Sequence, residues 1–301
     1  MEGEDTCLSL NVWTPSVDAE AKKPVLVWLH GGGYTSGTSA EHRIYEGYNL
    51  AKYGDIVFVS INHRLNYLGF LDLSDYGDAY KYSANLSFVD IVCALNWVQD
   101  NIAAYGGDPD CVTIVGQSGG GGKAATMMGV PSAEGLFCRA VAQSGGSAYS
   151  NRTPEESKAQ TQALVESLGL ADASPEEVVQ YLKDLPYDEL AAACQAVQYT
   201  CSPVNDGDFY TGGDIFLFFR NTLNVADYWI MGDEEGAEKC SKTMADALVA
   251  FMKTGDPSTE KLAWPAFTVE EGATMIFDVN SAVRYYHDAK LQELLPAGWA
   301  F

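Results

Sequence analysis

The sequence predicts an α/β protein, a mostly parallel sheet flanked by helices. Three observations predict it. Strand-length apolar runs are nearly continuous, stretches of helical period lie between them, and two of the runs lead straight into glycine-rich turns. The chain has 301 residues, 47% of them hydrophobic, enough to bury a sizeable core in a single domain over 1–301.

Leu8–Trp13 alternates and stops before Pro15, as an outer strand does. Val25–Leu29 is a continuous apolar run, Ile56–Ile61 a second, Val112–Val115 a third and Ala140–Ala142 a weaker fourth. Runs of this kind are buried on both faces, as in parallel sheets. Phe88–Ile102 reads as a helix, with Val89, Val92, Cys93, Leu95, Asn96 and Val98 on a mostly apolar face. Thr153–Leu170 opens on Thr153-Pro154-Glu155-Glu156, an N-cap, a proline at the first helical position and early acids. Ser174-Pro175-Glu176-Glu177 repeats that grammar in a helix ending near Lys183. Thr243–Thr254 is an amphipathic helix closed by Gly255-Asp256-Pro257, and Tyr285–Leu295 is expected to be helical. Residues 1–150 thus form a sheet-rich part and 151–301 a mainly helical part.

Lys plus Arg total 18 against 41 Asp plus Glu, a formal net charge of −23. Such a surface repels phosphate backbones and anionic lipid, which argues against nucleic acid and membrane partners and leaves neutral or cationic small molecules. Solubility alone accounts for the same charge. Seven cysteines without a CxxC show neither zinc spacing nor a dense disulfide framework. Only Cys194 and Cys201 are close enough in sequence to suggest a small loop bridge. With no basic and apolar leader at Met1–Asp5 and no membrane-length run, the expected location is cytoplasmic.

The chemistry centres on Gly116-Gln117-Ser118-Gly119-Gly120, a GxSxG that follows the strand Val112–Val115. A nucleophile on a tight strand-to-helix turn needs glycine two residues either side, where larger side chains clash. The turn lifts the Ser118 hydroxyl off the sheet and aims the Gly119 N–H at a forming oxyanion. The four glycines 119–122 each cost a helix about 1 kcal/mol against alanine, which close helix–strand approach would explain and a loose loop would avoid. Upstream, His30-Gly31-Gly32-Gly33 follows Val25–Leu29, and its backbone N–H groups complete the oxyanion hole. The candidate donors are Gly32, Gly33 and Gly119. Phosphate binding is set aside: Gly122-Lys123 looks like a P-loop end, yet Gln117 stands at the first glycine position and Ala124 at the Ser/Thr position.

With these motifs in view, the sequence resembles the type-B carboxylesterase family, which includes bacterial para-nitrobenzyl-type esterases and cholinesterases. The resemblance rests on Cys7–Pro15, Val27–Gly33, Asn62–Leu65 with Gly69–Leu71, Ala94–Ile102, Gly106–Pro109, Gly135–Phe137 and Gln143–Gly145. It implies an α/β-hydrolase fold, no cofactor or metal, and hydrolysis of carboxylic esters through an acyl-enzyme on Ser118; with the acidic surface, the expected substrate is a small neutral or apolar ester. It says nothing of oligomeric state. The family usually carries Glu-Ser-Ala where this chain has Gln117-Ser118-Gly119. Family members also begin well before the Cys7–Pro15 motif. Pro203–Gly207 looks like the family's PxxDG and Asp214–Asn221 like the stretch after its catalytic histidine, with Thr211 near that histidine's place. The expectation is a chain shortened at its N-terminus and internally near 207–213.

The general base and its acid are therefore the open question. His30 belongs to the oxyanion loop, His42 to a polar loop after it, and His63 to a structural segment beside Arg64. Glu235 and His287 give the order Ser…Glu…His of this fold. Against them, Asp233-Glu234-Glu235 is an acidic run just before a helix, and His287 sits in the expected C-terminal helix. A working esterase with Glu235 and His287 in its triad, an impaired chain, and a non-catalytic binding member of the fold are all readings of this sequence.

Overall fold

The structure, a computed structural model, describes residues 7–145, 151–210, 234–268, 271–277 and 280–285. Its centre is a five-stranded sheet of β1 (Leu10–Trp13), β2 (Lys23–Leu29), β3 (Val57–Ile61), β4 (Gly107–Gln117) and β5 (Arg139–Gln143), in the order β1-β3-β2-β4-β5. Only β1 is antiparallel, pairing Leu10 with Ile61 at one edge, as its alternation predicts. The remaining pairings are parallel, with Val27 beside Val59 and Ile114, and Val115 beside Val141.

Helices cover both faces, the reason these strands read as continuous apolar runs. Alternate residues of one strand serve opposite layers. Val25, Val27 and Leu29 pack with Phe88, Ile91, Leu95 and Val98 in one core, while Leu26, Phe58, Val115 and Val141 pack with Ala51 and Met252 in another. The connecting helices are α1 (Tyr48–Gly54), α2 (Asn66–Phe70), α3 (Leu86–Asn101) and α4 (Gly119–Met127). Helix α3 lies where its period predicts, yet its buried face is Phe88, Ile91, Leu95 and Val98, at helical spacing. Cys93 and Asn96, assigned to that face from sequence, are exposed.

The rear half supplies α5 (Pro154–Ser167), α6 (Pro175–Asp184) and α7 (Tyr187–Ala196), which share a core through Leu164, Val178, Leu182, Leu190 and Cys194. Thr153 with Glu156 and Ser174 with Glu177 form reciprocal capping boxes, each with proline at the first helical position. Buried polar groups, Asn85 and Arg152 among them, stitch this half to the segments that cover the sheet. The Asn85 side chain exchanges two 2.9 Å hydrogen bonds with the backbone of Val204. Arg152, 5% exposed, donates to the carbonyls of Ser202 and Phe70.

Three further expectations are corrected. Cys194 and Cys201 are free thiols, not a bridge, and burial pushes each up to about 12. Helix α8 (Glu234–Thr254) starts nine residues before the predicted Thr243, so Glu235 lies inside its first turn rather than ahead of it. Tyr285 ends a strand: β6 (Ala273–Ile276) and β7 (Ala282–Tyr285) form an antiparallel hairpin whose Met275 packs with Cys240 and Ala247. The rest of the stretch expected to be helical, and with it His287, lies outside the described residues, as does Thr211. Among the described residues no helix is long and apolar enough to cross a membrane.

Candidate active site

Adjacent parallel strands put their carboxyl ends side by side. Because β2 and β4 are neighbours, with Leu29 opposite Gly116, the turn after one strand faces the turn after the other. The chain runs from β2 to β3 on one side, then returns to place β4 on the other. The β2/β4 junction is thus the topological switch point, where open α/β sheets form their ligand crevices.

Ser118 stands at that junction with φ +55° and ψ −125°, a conformation an L-residue adopts only under constraint. Its N–H donates to the Gln143 carbonyl at 2.8 Å and its own carbonyl accepts from Gly122 at 3.0 Å, which fixes the turn from both sides. As N-cap of α4 the side chain makes no capping hydrogen bond, and the residue is partly exposed. Among the described residues, no side chain hydrogen-bonds to its hydroxyl.

The glycines around it are dictated by contact. A Cβ on Gly116 would lie 2.2 Å from the Gly120 oxygen, and one on Gly120 would lie 2.0 Å from the Leu29 oxygen. A Cβ on Gly121 would lie 2.5 Å from the Gln143 oxygen. Helix α4 is therefore a real helix pressed against the backbone of its neighbouring strands, and not a loose glycine loop. The facing turn is equally tight: Gly32 and Gly33 have φ +85° and +63°, and a Cβ on Gly31 would lie 3.6 Å from Ser118 Cβ. Among the described residues the N–H groups of Gly32, Gly33 and Gly119 donate to no protein acceptor.

The residues beneath this turn are polar. The rings of His30 and His63 stack at 4.9 Å with 11° between their planes. His30 Nδ1 is 3.0 Å from the Gly31 oxygen, a contact that puts the proton on Nδ1. His63 Nδ1 lies between the Ser87 hydroxyl at 2.9 Å and the Arg64 oxygen at 3.1 Å. Lys123, fully buried, donates to the His30 oxygen at 3.1 Å. Burial brings Lys123 down to about 7, against the opposing pull of Glu41. Burial, aided by Lys123, brings His30 down to about 4 and holds His63 well below its ordinary value. Both imidazoles are neutral at pH 7.

His30 and His63 thus support the turn from below. His42 is solvent-exposed at the surface, 3.0 Å from Glu41. Of the two acid and base candidates, Glu235 is the second residue of α8 and His287 is outside the described residues. Reading the sequence missed two groups. Lys123 figured only as a failed phosphate motif, although a lysine amid glycine and alanine on the helix behind a nucleophile turn is itself a signal. Asp90, whose carboxylate takes three hydrogen bonds from Arg64, carries no motif at all.

Comparison with known proteins places this geometry. A para-nitrobenzyl esterase of Bacillus subtilis is 41% identical over 169 residues, covering 56% of this chain and 33% of that protein. The acetylcholinesterase of Gallus gallus is 35% identical over 245 residues, 78% of this chain and 30% of that enzyme. The chain thus spans about a third of the length of the curated relatives it matches. Among solved structures, an esterase from Clostridium hathewayi that can hydrolyze aliphatic aromatic polyesters superposes with a TM-score of 0.82 at 32% identity, covering 97% of this chain and 82% of that one. A carboxylesterase of Geobacillus stearothermophilus gives 0.81 at 26% identity over 95% and 84%. The fold is the α/β-hydrolase fold. The model of the carboxylesterase family matches residues 1–226, and the chain belongs to that family.

Proposed function

We propose that this chain serves carboxylic ester hydrolysis through a serine acyl-enzyme, on a small neutral or apolar ester. Ser118 Oγ attacks the ester carbonyl carbon while its proton passes to a base. The tetrahedral oxyanion is held by the N–H groups of Gly32, Gly33 and Gly119. Collapse expels the alcohol, and water then cleaves the acyl-enzyme. In this reading Glu235 and His287 are the acid and base candidates, in the chain order this fold uses. The observation that carries the proposal is the pairing of a strained, partly exposed Ser118 after β4 with a glycine turn after β2 whose amides are unengaged.

The test is hydrolysis of p-nitrophenyl butyrate together with fluorophosphonate labelling. Turnover and stoichiometric labelling, both lost in Ser118→Ala and turnover at least a hundredfold lower in His287→Ala, are the expected results. One observation favours a second reading, a chain of this fold that binds ester-like molecules without turning them over. His30 and His63 are buried beneath the turn, and His42 is paired with Glu41 at the surface. Binding of an ester without turnover or labelling would select that reading.

A further inference from the structure

A fully buried lysine is expensive: its charge must be desolvated, and an aliphatic side chain of similar volume would pack the same space at lower cost. Lys123 is in that position, on α4, five residues after Ser118, and among the described residues it forms no ion pair with an acid. Its side-chain amine donates out of its own helix to the carbonyl of His30, the first residue of the glycine turn. That turn is also held by the His30 ring on Gly31 and by the stack of His63 on His30, which Ser87 and the Arg64 carbonyl keep in place. Beside the backbone packing of Gly119 and Gly120, Lys123 supplies a side-chain hydrogen bond that ties the turn to the helix following the nucleophile.

We propose that Lys123 is a positioning residue: from beneath the nucleophile turn its amine donates to the His30 carbonyl and fixes the peptides of Gly31–Gly33 opposite Ser118. The inference rests on the proposed oxyanion role of those glycines and adds the group that holds them. The geometry gives it a second consequence. The groups facing Lys123 are His30 from the end of β2, His63 from the end of β3 and Glu41 from the loop beyond the turn. Both imidazoles are neutral, so the lysine is the group in this cluster that changes charge near pH 7. When protonated it is the stronger donor to the His30 carbonyl, and a charge-assisted bond of this kind is roughly twice as strong as a neutral one. The turn is therefore held more firmly below that pH than above it.

The experiment compares the full chain with Lys123→Met, an uncharged residue of similar shape, and requires no turnover. In the native chain the amide resonances of Gly31, Gly32 and Gly33 are expected to follow a titration near pH 7 that is absent from Lys123→Met. Hydrogen exchange across residues 30–37 is expected to rise about tenfold in the variant, with α3 unchanged. Matching titrations and exchange in the two proteins would overturn the proposal. Should the variant not fold, native-chain glycine amides that ignore pH between 6 and 8 would overturn it equally. Ser118→Ala must show the native loop response, so a chain that hydrolyses no ester defeats the functional reading and leaves this measurement intact. Where turnover is present, kcat in Lys123→Met falls about tenfold with KM little changed, because the turn acts on the oxyanion and not on the bound ester.

Discussion

The backbone of Gly33 occupies the space that a side chain on Gly119 would need. A Cβ on Gly119 would lie 2.3 Å from the Gly33 oxygen and 2.5 Å from its nitrogen. The family's usual alanine at this position therefore does not fit the turn as this chain builds it. Gly119→Ala is expected to push the 31–33 turn away from Ser118, destabilising the fold by roughly 1–3 kcal/mol. Ester turnover should fall further than that loss of stability explains. Urea unfolding and kcat/KM measured on the same preparation check it, and an unchanged midpoint with unchanged turnover would count against the close approach.

Asp90 is the anchor of the segment after β3. Its carboxylate, 4% exposed, receives Arg64 Nη2 at 2.6 Å, and both Arg64 Nε and the Arg64 backbone N–H at 2.9 Å. Removing it leaves a half-buried guanidinium and an amide without partners. Asp90→Ala is expected to cost about 3 kcal/mol, read as a drop in the thermal midpoint. Asp90→Asn keeps a single acceptor and should recover part of the loss.

Lys123 makes stability depend on pH in a defined direction. Its folded value, about 7, lies below its unfolded value, so between the two the unfolded chain binds a proton that the folded chain does not. Folding then becomes more favourable as pH rises, by up to about 1.4 kcal/mol per unit. Lys123→Met lacks this dependence. The variant should be the more stable protein at pH 7.5, with the gap narrowing towards pH 9.5. Parallel stability curves for the two proteins would contradict the buried placement of the amine.

The thiols should separate by environment. Cys93 is exposed, whereas Cys194 and Cys201 lie in or against the core of the rear helices and are held as thiols by burial. A disulfide reagent at pH 8 is expected to modify Cys93 in the folded chain and to reach Cys194 and Cys201 only after denaturation. Mass spectrometry of the modified peptides distinguishes them.

The sheet and the nucleophile turn were legible because each is written locally. Val25–Leu29 and Val112–Val115 are apolar without interruption, and glycine recurs where backbone meets backbone. The starts of α5 and α6 were readable from four residues each. The face of α3 was misread because Cys93 and Asn96 were admitted to an apolar stripe that Phe88, Ile91, Leu95 and Val98 complete alone. The hairpin β6–β7 was missed because four-residue strands carry too little pattern to stand out. The roles of Lys123 and Asp90 were missed for another reason. Their partners lie 93 and 26 residues away, so the glycine and alanine around Lys123 could flag the residue but not its contact, and Asp90 had no local flag.

The glycine packing at 116, 120 and 121 has an evolutionary corollary. Where backbone rests on backbone, no side chain can be introduced without moving the strands themselves, so this part of the cleft is closed to tuning by substitution. Divergence in what the cleft accepts must be written in the segments that follow these turns, such as the mostly exposed stretch from Thr35 to Tyr48, where Ile44 and Tyr48 face solvent.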